Sequence, residues 1–366
     1  MAVRLYPTFG GYVGRQFLIW WGGIFLALVF LIELFDGIEM LRRTAREETL
    51  TFWTLVAMTL FKLPHLAEQA VPFAVLFGGM MAFWRLNRHQ ELVVARASGM
   101  SAWEFLLPVM LIALAIGVVK ITVYNPFASA MLLQFERLEA QLVHGRSSLA
   151  AISGDGLWLR QSTADGHYML HAASIDPQRM ELGKVLVLAF RGTDRFAYRI
   201  DADRAVLDPG AWRLENARIS RPEAPPDREE VFRIATDLTR ENIQDSFATP
   251  ETLSFWAIPG FIQVLEQAGF SALRHRLYWQ SQLADPLLLC AMVLFAAAFT
   301  LRPQRRGGTT LIIAGGVATG FLIYFASDVA YALGLSARIP VALSAWSPAV
   351  VACLLGAAIL FHLEDG

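Results

Sequence analysis

Long apolar runs flank a polar middle in this chain. The first, Gln16 to Phe35 (QFLIWWGGIFLALVFLIELF), reaches the roughly 20 apolar residues that a helix needs to cross a bilayer. It is too long and too far into the chain for a signal peptide, and no small-x-small cleavage site follows it. A second run, Phe52 to Trp84, contains Pro64 and Pro72 and is long enough to span with a kink. A third covers Phe105 to Tyr124 and stops at Asn125-Pro126. Hydropathy then collapses and returns only at Leu277 to Leu301, Thr309 to Leu333 and Val341 to Phe361. The pattern predicts an α-helical membrane protein with six transmembrane helices, three before and three after an insert.

The insert changes period from helical to alternating. GLWLRQS (156–162), HYMLHAAS (167–174), KVLVLAFR (184–191), RFAYRIDA (195–202), AWRLENARIS (211–220) and EEVFRIAT (229–236) read as six short strands. Turn residues such as Asp165-Gly166, Arg191-Gly192 and Asp208-Pro209-Gly210 separate them, and Pro222 to Pro226 reads as a loop. Strands at this spacing suggest a β-sandwich or a jelly roll with an open edge. Between Thr252 and Gln267 the pattern turns helical, with Gly269 as its stop. The expected domains are 1–127 with the first three spans, 128–272 with the β-jelly-roll, and 273–366 with the last three spans.

Composition narrows the function. The chain is 55% hydrophobic and 17% charged, which excludes a disordered chain, a basic nucleic-acid binder and a single water-soluble globule. A net charge of −1 points to no partner. Cys290 and Cys353 lie in apolar runs and read as small buried hydrophobes. No G-x-x-x-x-G-K-[ST] loop is present to cradle a nucleotide, no H-E-x-x-H to hold zinc, and no G-x-S-x-G nucleophile. No cofactor, metal or catalytic residue is therefore expected. Asp285 and Asp328 are intramembrane carboxylates on separate helices, with no partner fixed by sequence. A membrane-bound lipid-modifying enzyme would require clustered carboxylates or histidines and turnover by the isolated chain.

Arginines set the expected orientation. Arg85, Arg88 and Arg96 stand against Glu91 alone between spans two and three, and Arg302, Arg305 and Arg306 lie between spans four and five. With Arg4 and Arg15, these place both termini and the short connectors in the cytoplasm and the long insert outside. The loop Arg42 to Thr49 is a mild exception.

The connector Arg85 to Ser101 (RLNRHQELVVARASGMS) carries the most specific chemistry. Arg88, Glu91 and Arg96 among Leu92, Val93 and Ala95 predict a short amphipathic helix over about 87–98, ended by Gly99. Ser101 and Glu104 then form a capping box for span three. A helix pinned between two spans can pass on force applied by a soluble motor. It can equally be a solvated connector whose arginines only obey topology.

The run Glu91-Leu92-Val93-Val94 followed by Ala97-Ser98-Gly99 resembles the coupling-helix signature of the lipopolysaccharide export permeases, the LptF/LptG family. Other landmarks agree in order: Tyr12-Val13-Gly14-Arg15, Leu63-Pro64, Val71-Pro72, Asn125-Pro126, Trp158, Arg274 with Trp279-x-Ser281, and Asp285-Pro286. The LptG branch is the nearer one. Gln90 stands where family members commonly carry Ser. The resemblance implies a permease subunit of an ABC transporter in the inner membrane. It would pair with the paralogue LptF, be driven by an LptB ATPase dimer, and pass lipopolysaccharide to the periplasmic bridge proteins LptC and LptA. Glu91, Arg88, Leu92, Arg96 and Gly99 are then the expected ATPase-coupling residues. A mechanical scaffold that couples to an ATPase without moving lipid is the competing reading.

Lipopolysaccharide is a phosphorylated, acidic head on several acyl chains, so its site should be an apolar cavity with a cationic rim. Arg42, Arg43, Lys62, His65, Lys120, Arg274 and Arg276 are the expected rim, because ammonium and guanidinium groups pair with phosphate oxygens. Each also fits as an interfacial residue snorkelling to lipid headgroups. Asp36 would repel phosphate unless it pairs with Lys62 or Lys120. Phe30, Leu34, Phe73, Phe321, Tyr324 and Phe325 are the expected walls, although an aromatic stripe also serves plain helix packing. Gly22-Gly23 and Gly315-Gly316 with Gly320 allow close helix approach, compatible with the paralogue contact. Trp158, Leu170 and Phe196 are the expected acyl-chain contacts inside the β-domain.

Overall fold

A computed structural model describes residues 7–44, 52–142, 149–153, 156–163, 166–176, 181–191, 195–222, 224–236, 249–267, 270–301 and 309–364. Arg4, the Arg302–Arg306 connector and Gly269 lie outside the described residues. The chain divides into two compact units, one of Met1–Leu132 with Arg276–Gly366 and one of Leu133–His275.

The first unit is helical. Its elements are α1 (Pro7–Thr44), α2 (Phe52–Arg88), α3 (Glu91–Ala97) and α4 (Ala102–Val119), which runs through a π-turn (Lys120–Tyr124) into α5 (Asn125–Leu142), whose residues from 133 on belong to the second unit, as do residues 273–275 of the helix that follows the insert. After the insert come α7 (Leu273–Thr300), α8 (Thr309–Leu335) and α9 (Val341–Glu364). Among the described residues six helices are long and apolar enough to cross a membrane. These are α1, α2, α4 with its continuation, α7, α8 and α9. Prolines 64, 72, 108, 286 and 348 sit inside these helices without ending them. Neighbouring helices and local turn adjustments absorb the lost backbone bonds.

Close packing fixes the bundle. A Cβ at Gly78 would lie 2.7 Å from the Trp21 backbone, and one at Gly117 would lie 2.6 Å from the Cα of Pro286. Only glycine therefore lets α1 meet α2, and α4 meet α7, at these points. Phe17, Phe83, Leu86, Phe105, Leu106 and Met292 share one buried core. At the margins, Trp346 Nε1 donates to Gln280 Oε1 at 2.9 Å and Ser344 Oγ donates to the Ala330 carbonyl at 2.5 Å, tying α9 to α7 and α8.

The second unit carries an antiparallel sheet of seven strands in plain sequence order: β1 (Leu149–Ser153), β2 (Gly156–Thr163), β3 (Gly166–Asp176), β4 (Glu181–Arg191), β5 (Arg195–Asp208), β6 (Ala211–Arg221) and β7 (Ala224–Ala235). The inserted β-domain is as expected, with one strand more. The described strands run as a meander, and the crossed connections of a jelly roll are not among them. β7 begins earlier than its alternation suggests. Pro225 and Pro226, expected in a loop, lie at the outer edge of the sheet, where a missing N–H costs no ladder bond.

Alternation sorts the faces. Leu157, Leu159, Leu170, Val187, Ile200 and Ile219 are buried on one side. The Tyr168 hydroxyl on β3 reaches the Ala235 carbonyl on β7 at 3.2 Å, four strands away, so the sheet curls over that apolar face. Helix α6 (Ile258–Gln267) buries Ile258, Ile262 and Leu265, spaced for one helical face.

Candidate functional site

The connector between α2 and α4 folds into three parts. Helix α2 keeps its axis to Arg88, whose guanidinium lies 5.1 Å from the Trp84 ring centre. Gln90 adopts a left-handed conformation at φ 62°, which turns the chain and starts α3 at Glu91. The helix expected over about 87–98 is thus shorter, because residues 87 and 88 belong to α2. Gly99, at φ 86°, ends α3 with its N–H donating to the Arg96 carbonyl at 2.9 Å. The Ser101 N–H then donates to Glu104 Oε2 at 3.3 Å, half of the capping box that begins α4.

Helix α3 has two sides. Leu92 is 2% exposed and belongs to the same core as Phe83, Leu86 and Phe105. Val93 and Val94 stand out, Val94 at 68%, and Arg96 is exposed beside them. Glu91 is half-buried and accepts a hydrogen bond from the Tyr12 hydroxyl at 3.2 Å. The Asn87 amide donates to the Thr300 carbonyl at 3.0 Å, joining the ends of α2 and α7.

The expected rim cations fall into different surroundings. Lys62 pairs with Asp36 at 2.5 Å, which gives Asp36 the partner its position called for. Arg42 pairs with Glu39 one turn back on α1, at 2.9 Å. Arg43 follows it, but its side chain lies outside the described residues. Lys120 is buried and paired with Asp285, so it stands in the interior rather than on a rim. His65 is half-buried on α2, and Arg276 is exposed at the start of α7. Arg274 belongs to the second unit, 3.8 Å from Glu251.

The aromatic residues also separate. Phe30 and Leu34 line a groove of about 340 Å³ between α1 and α2, with Glu33, Ile38 and Thr59. Phe73 meets Tyr324 across α2 and α8 with ring centres 5.9 Å apart, and Phe321 stacks on Phe325 along α8 at 6.4 Å. Gly316 and Gly320 face Met80, Leu76 and Phe73 of α2, and Gly315 faces Phe299 of α7, so they serve packing within the chain. A Cβ added at Gly22 or Gly23 would meet no other part of the chain within 4 Å. In the β-domain Leu170 is on the apolar face, whereas Trp158 packs against His171 with tilted rings and Phe196 meets Phe190 on the opposite, more exposed face.

Residues 11–362 match the family described as lipopolysaccharide export system permease LptF/LptG. The chain belongs to that family. It is 25% identical over 296 residues to lipopolysaccharide export system permease protein LptG of Escherichia coli strain K12, covering 79% of this chain and 80% of that protein. LptG of Escherichia coli O6:H1 matches to the same extent. The chain is therefore an LptG-like permease of a lipopolysaccharide export system, with a membrane unit of six helices and an inserted sheet.

Within this LptF/LptG permease one cluster is not expected from sequence as a unit: Lys120 reads as a rim residue, Asp285 has no assigned partner, and Glu68 has no role. Glu68 on α2 is 5% exposed, and Lys120 and Asp285 are close enough for their charges to act on it. The Gln282 amide donates to the Tyr278 hydroxyl at 2.8 Å, and the Tyr124 hydroxyl donates to the Pro64 carbonyl at 3.1 Å around them. The available signal was general: ionisable residues inside spans face a bundle interior and pair there. Sequence separation hid the pairing, since Lys120 and Asp285 are 165 positions apart.

Proposed function

We propose that this permease is one half of a transmembrane pair that lifts lipopolysaccharide out of the inner membrane. A separate ATPase of the LptB type powers it, and LptF is the paralogous partner. In this reading the N-terminus and α3 face the cytoplasm, and the domain of residues 128–272 faces the periplasm and hands lipid to LptC and LptA. The arginine-rich connectors favour that orientation.

One observation carries the reading: α3 is anchored on one face and open on the other. Leu92 and Ala95 are buried against the bundle, while Val93, Val94 and Arg96 are presented outward. A partner that grips the open face moves the spans through the anchored one. Glu91 supplies the charge, with Arg88, Arg96 and Gly99 shaping its surroundings. Losing one partner of a buried charged contact costs about 2–5 kcal/mol. Glu91→Ala is expected to lose ATPase co-purification and lipid export with membrane insertion unchanged, and wild-type behaviour in both assays would remove the coupling assignment.

The lipid contacts proposed are Phe30 and Leu34 in the α1–α2 groove, Phe73, Phe321 and Tyr324 on the α2–α8 surface, and the cations Arg42, Arg43, Lys62, His65, Arg274 and Arg276. Lys120 acts behind them as an internal support. The carboxylate already paired with Lys62 favours a second reading, the ATPase-coupled scaffold that moves no lipid. Crosslinking lipopolysaccharide to a photoreactive residue at Phe30 separates the two, since a scaffold gives no crosslink.

A further inference from the structure

The segment Tyr12 to Gln16 holds α1 to the connector through two side chains one helical turn apart. The Tyr12 hydroxyl donates to Glu91 Oε1 on α3 at 3.2 Å. Gln16, on the same face of α1, accepts from the Arg85 guanidinium at the end of α2. Between them Val13 is fully buried, and a Cβ at Gly14 would lie 2.6 Å from the Ile112 side chain of α4. The backbone of this segment is therefore wedged against the bundle while its two polar side chains reach out to the connector.

The chemistry of the Tyr12 contact is specific. A phenol is a neutral donor, so it orients the Glu91 carboxylate without cancelling its charge. It engages one of the two oxygens, and a carboxylate offers about four acceptor positions. Glu91 can therefore keep this bond while accepting a charged donor from a docked protein. Helix α3 has only seven residues and is joined to α2 through the left-handed Gln90, so its first side chain needs an outside support to hold one direction.

We infer that Tyr12 is a positioning residue for Glu91, holding the carboxylate in one direction and passing displacement of α3 directly to span α1. The inference rests on the coupling role proposed for α3. It also gives work to the Tyr12-Val13-Gly14-Arg15 motif: a hydroxyl that aims Glu91, a buried valine and a close-packed glycine.

The test uses the complete permease–ATPase complex in liposomes and reads lipopolysaccharide moved per ATP hydrolysed. Tyr12→Phe keeps the ring and its contact with Phe9 and deletes only the donor. ATPase association and the melting temperature are expected to hold, while lipid moved per ATP falls about tenfold, the size expected for losing a hydrogen bond to a charged group. Tyr12→Gln, which restores a donor, is expected to recover most of the ratio. Adding Tyr12→Phe to Glu91→Leu should cause no further loss, because without an oxygen acceptor at position 91 the Tyr12 hydroxyl has nothing to orient. A wild-type ratio in Tyr12→Phe, or fully additive losses in the double variant, overturns the inference. If Glu91→Ala still binds the ATPase and exports lipid, the coupling reading itself fails; if Glu91→Ala is defective and Tyr12→Phe is normal, only the role of Tyr12 fails.

Discussion

Helices α2 and α7 and helices α1 and α8 are all apolar enough to span a membrane, yet they live in opposite surroundings. The apolar stretches of α2 and α7 are 67% and 72% buried within the chain, against 6% in α1 and 11% in α8. The buried pair carries Glu68 and Asp285, with Lys120 of the π-turn between them. The exposed pair carries bare glycines at 22 and 23 and outward aromatics at Phe30, Phe321 and Phe325. Carboxylates are not confined to the buried pair, since Asp36 of α1 pairs with Lys62 and Asp328 of α8 is exposed; what differs is that Glu68 and Asp285 meet Lys120 inside the fold. Apolar composition alone does not separate the two kinds of helix.

The sharpest way to break this contrast is to unbalance the buried pair. Lys120→Met leaves Asp285 without its ammonium and is expected to cost about 3–5 kcal/mol, because one partner of a buried ion pair is left uncompensated. Thermal unfolding in detergent measures it. Adding Asp285→Leu to that variant should recover much of the loss, since replacing both charges by apolar groups removes the desolvation penalty; no recovery would mean the pair is not the unit of stability.

The next test compares two glycines. Gly78→Leu forces α1 away from α2 and is expected to cost about 1–3 kcal/mol through overpacking. Gly22→Leu, on the open side of α1, should leave the melting temperature of the isolated chain unchanged. If both glycines tolerate leucine equally, α1 and α2 do not pack as described.

The smallest effect belongs to the exposed aromatics. Phe321→Ala should change stability by no more than about 0.5 kcal/mol, as surface substitutions do. In the assembled exporter it should still weaken lipopolysaccharide crosslinking. A large loss of stability would mark Phe321 as a packing residue instead.

Much of the fold was legible because its period and length are strong signals. All six spans could be read from apolar length, and six of seven strands from alternation. Strand β1, LAAIS, has too little alternation to declare itself, and β7 begins on prolines that read as a loop until the sheet edge is known. The connector was only partly legible: Gly99 announces the end of α3, whereas the left-handed Gln90 at its start has no residue signature. Long-range pairings were the hardest. Asp36 with Lys62 could be weighed because both flank one hairpin. Lys120 with Asp285 could not, since the β-domain lies between them in sequence. The glycines of α8 suggested an outer contact, and only the positions of Met80, Leu76 and Phe299 reveal that they pack inward.

The most direct measurement of the central claim places a single cysteine at Val94, 68% exposed on the open face of α3, in a chain whose Cys290 and Cys353 are replaced by alanine. Helix α3 gripped by a cytoplasmic ATPase predicts a crosslink from Val94→Cys to the ATPase subunit that disappears when Glu91→Ala is added. No crosslink at Val94, or labelling of that cysteine by a membrane-impermeant reagent added from the periplasmic side, would contradict it.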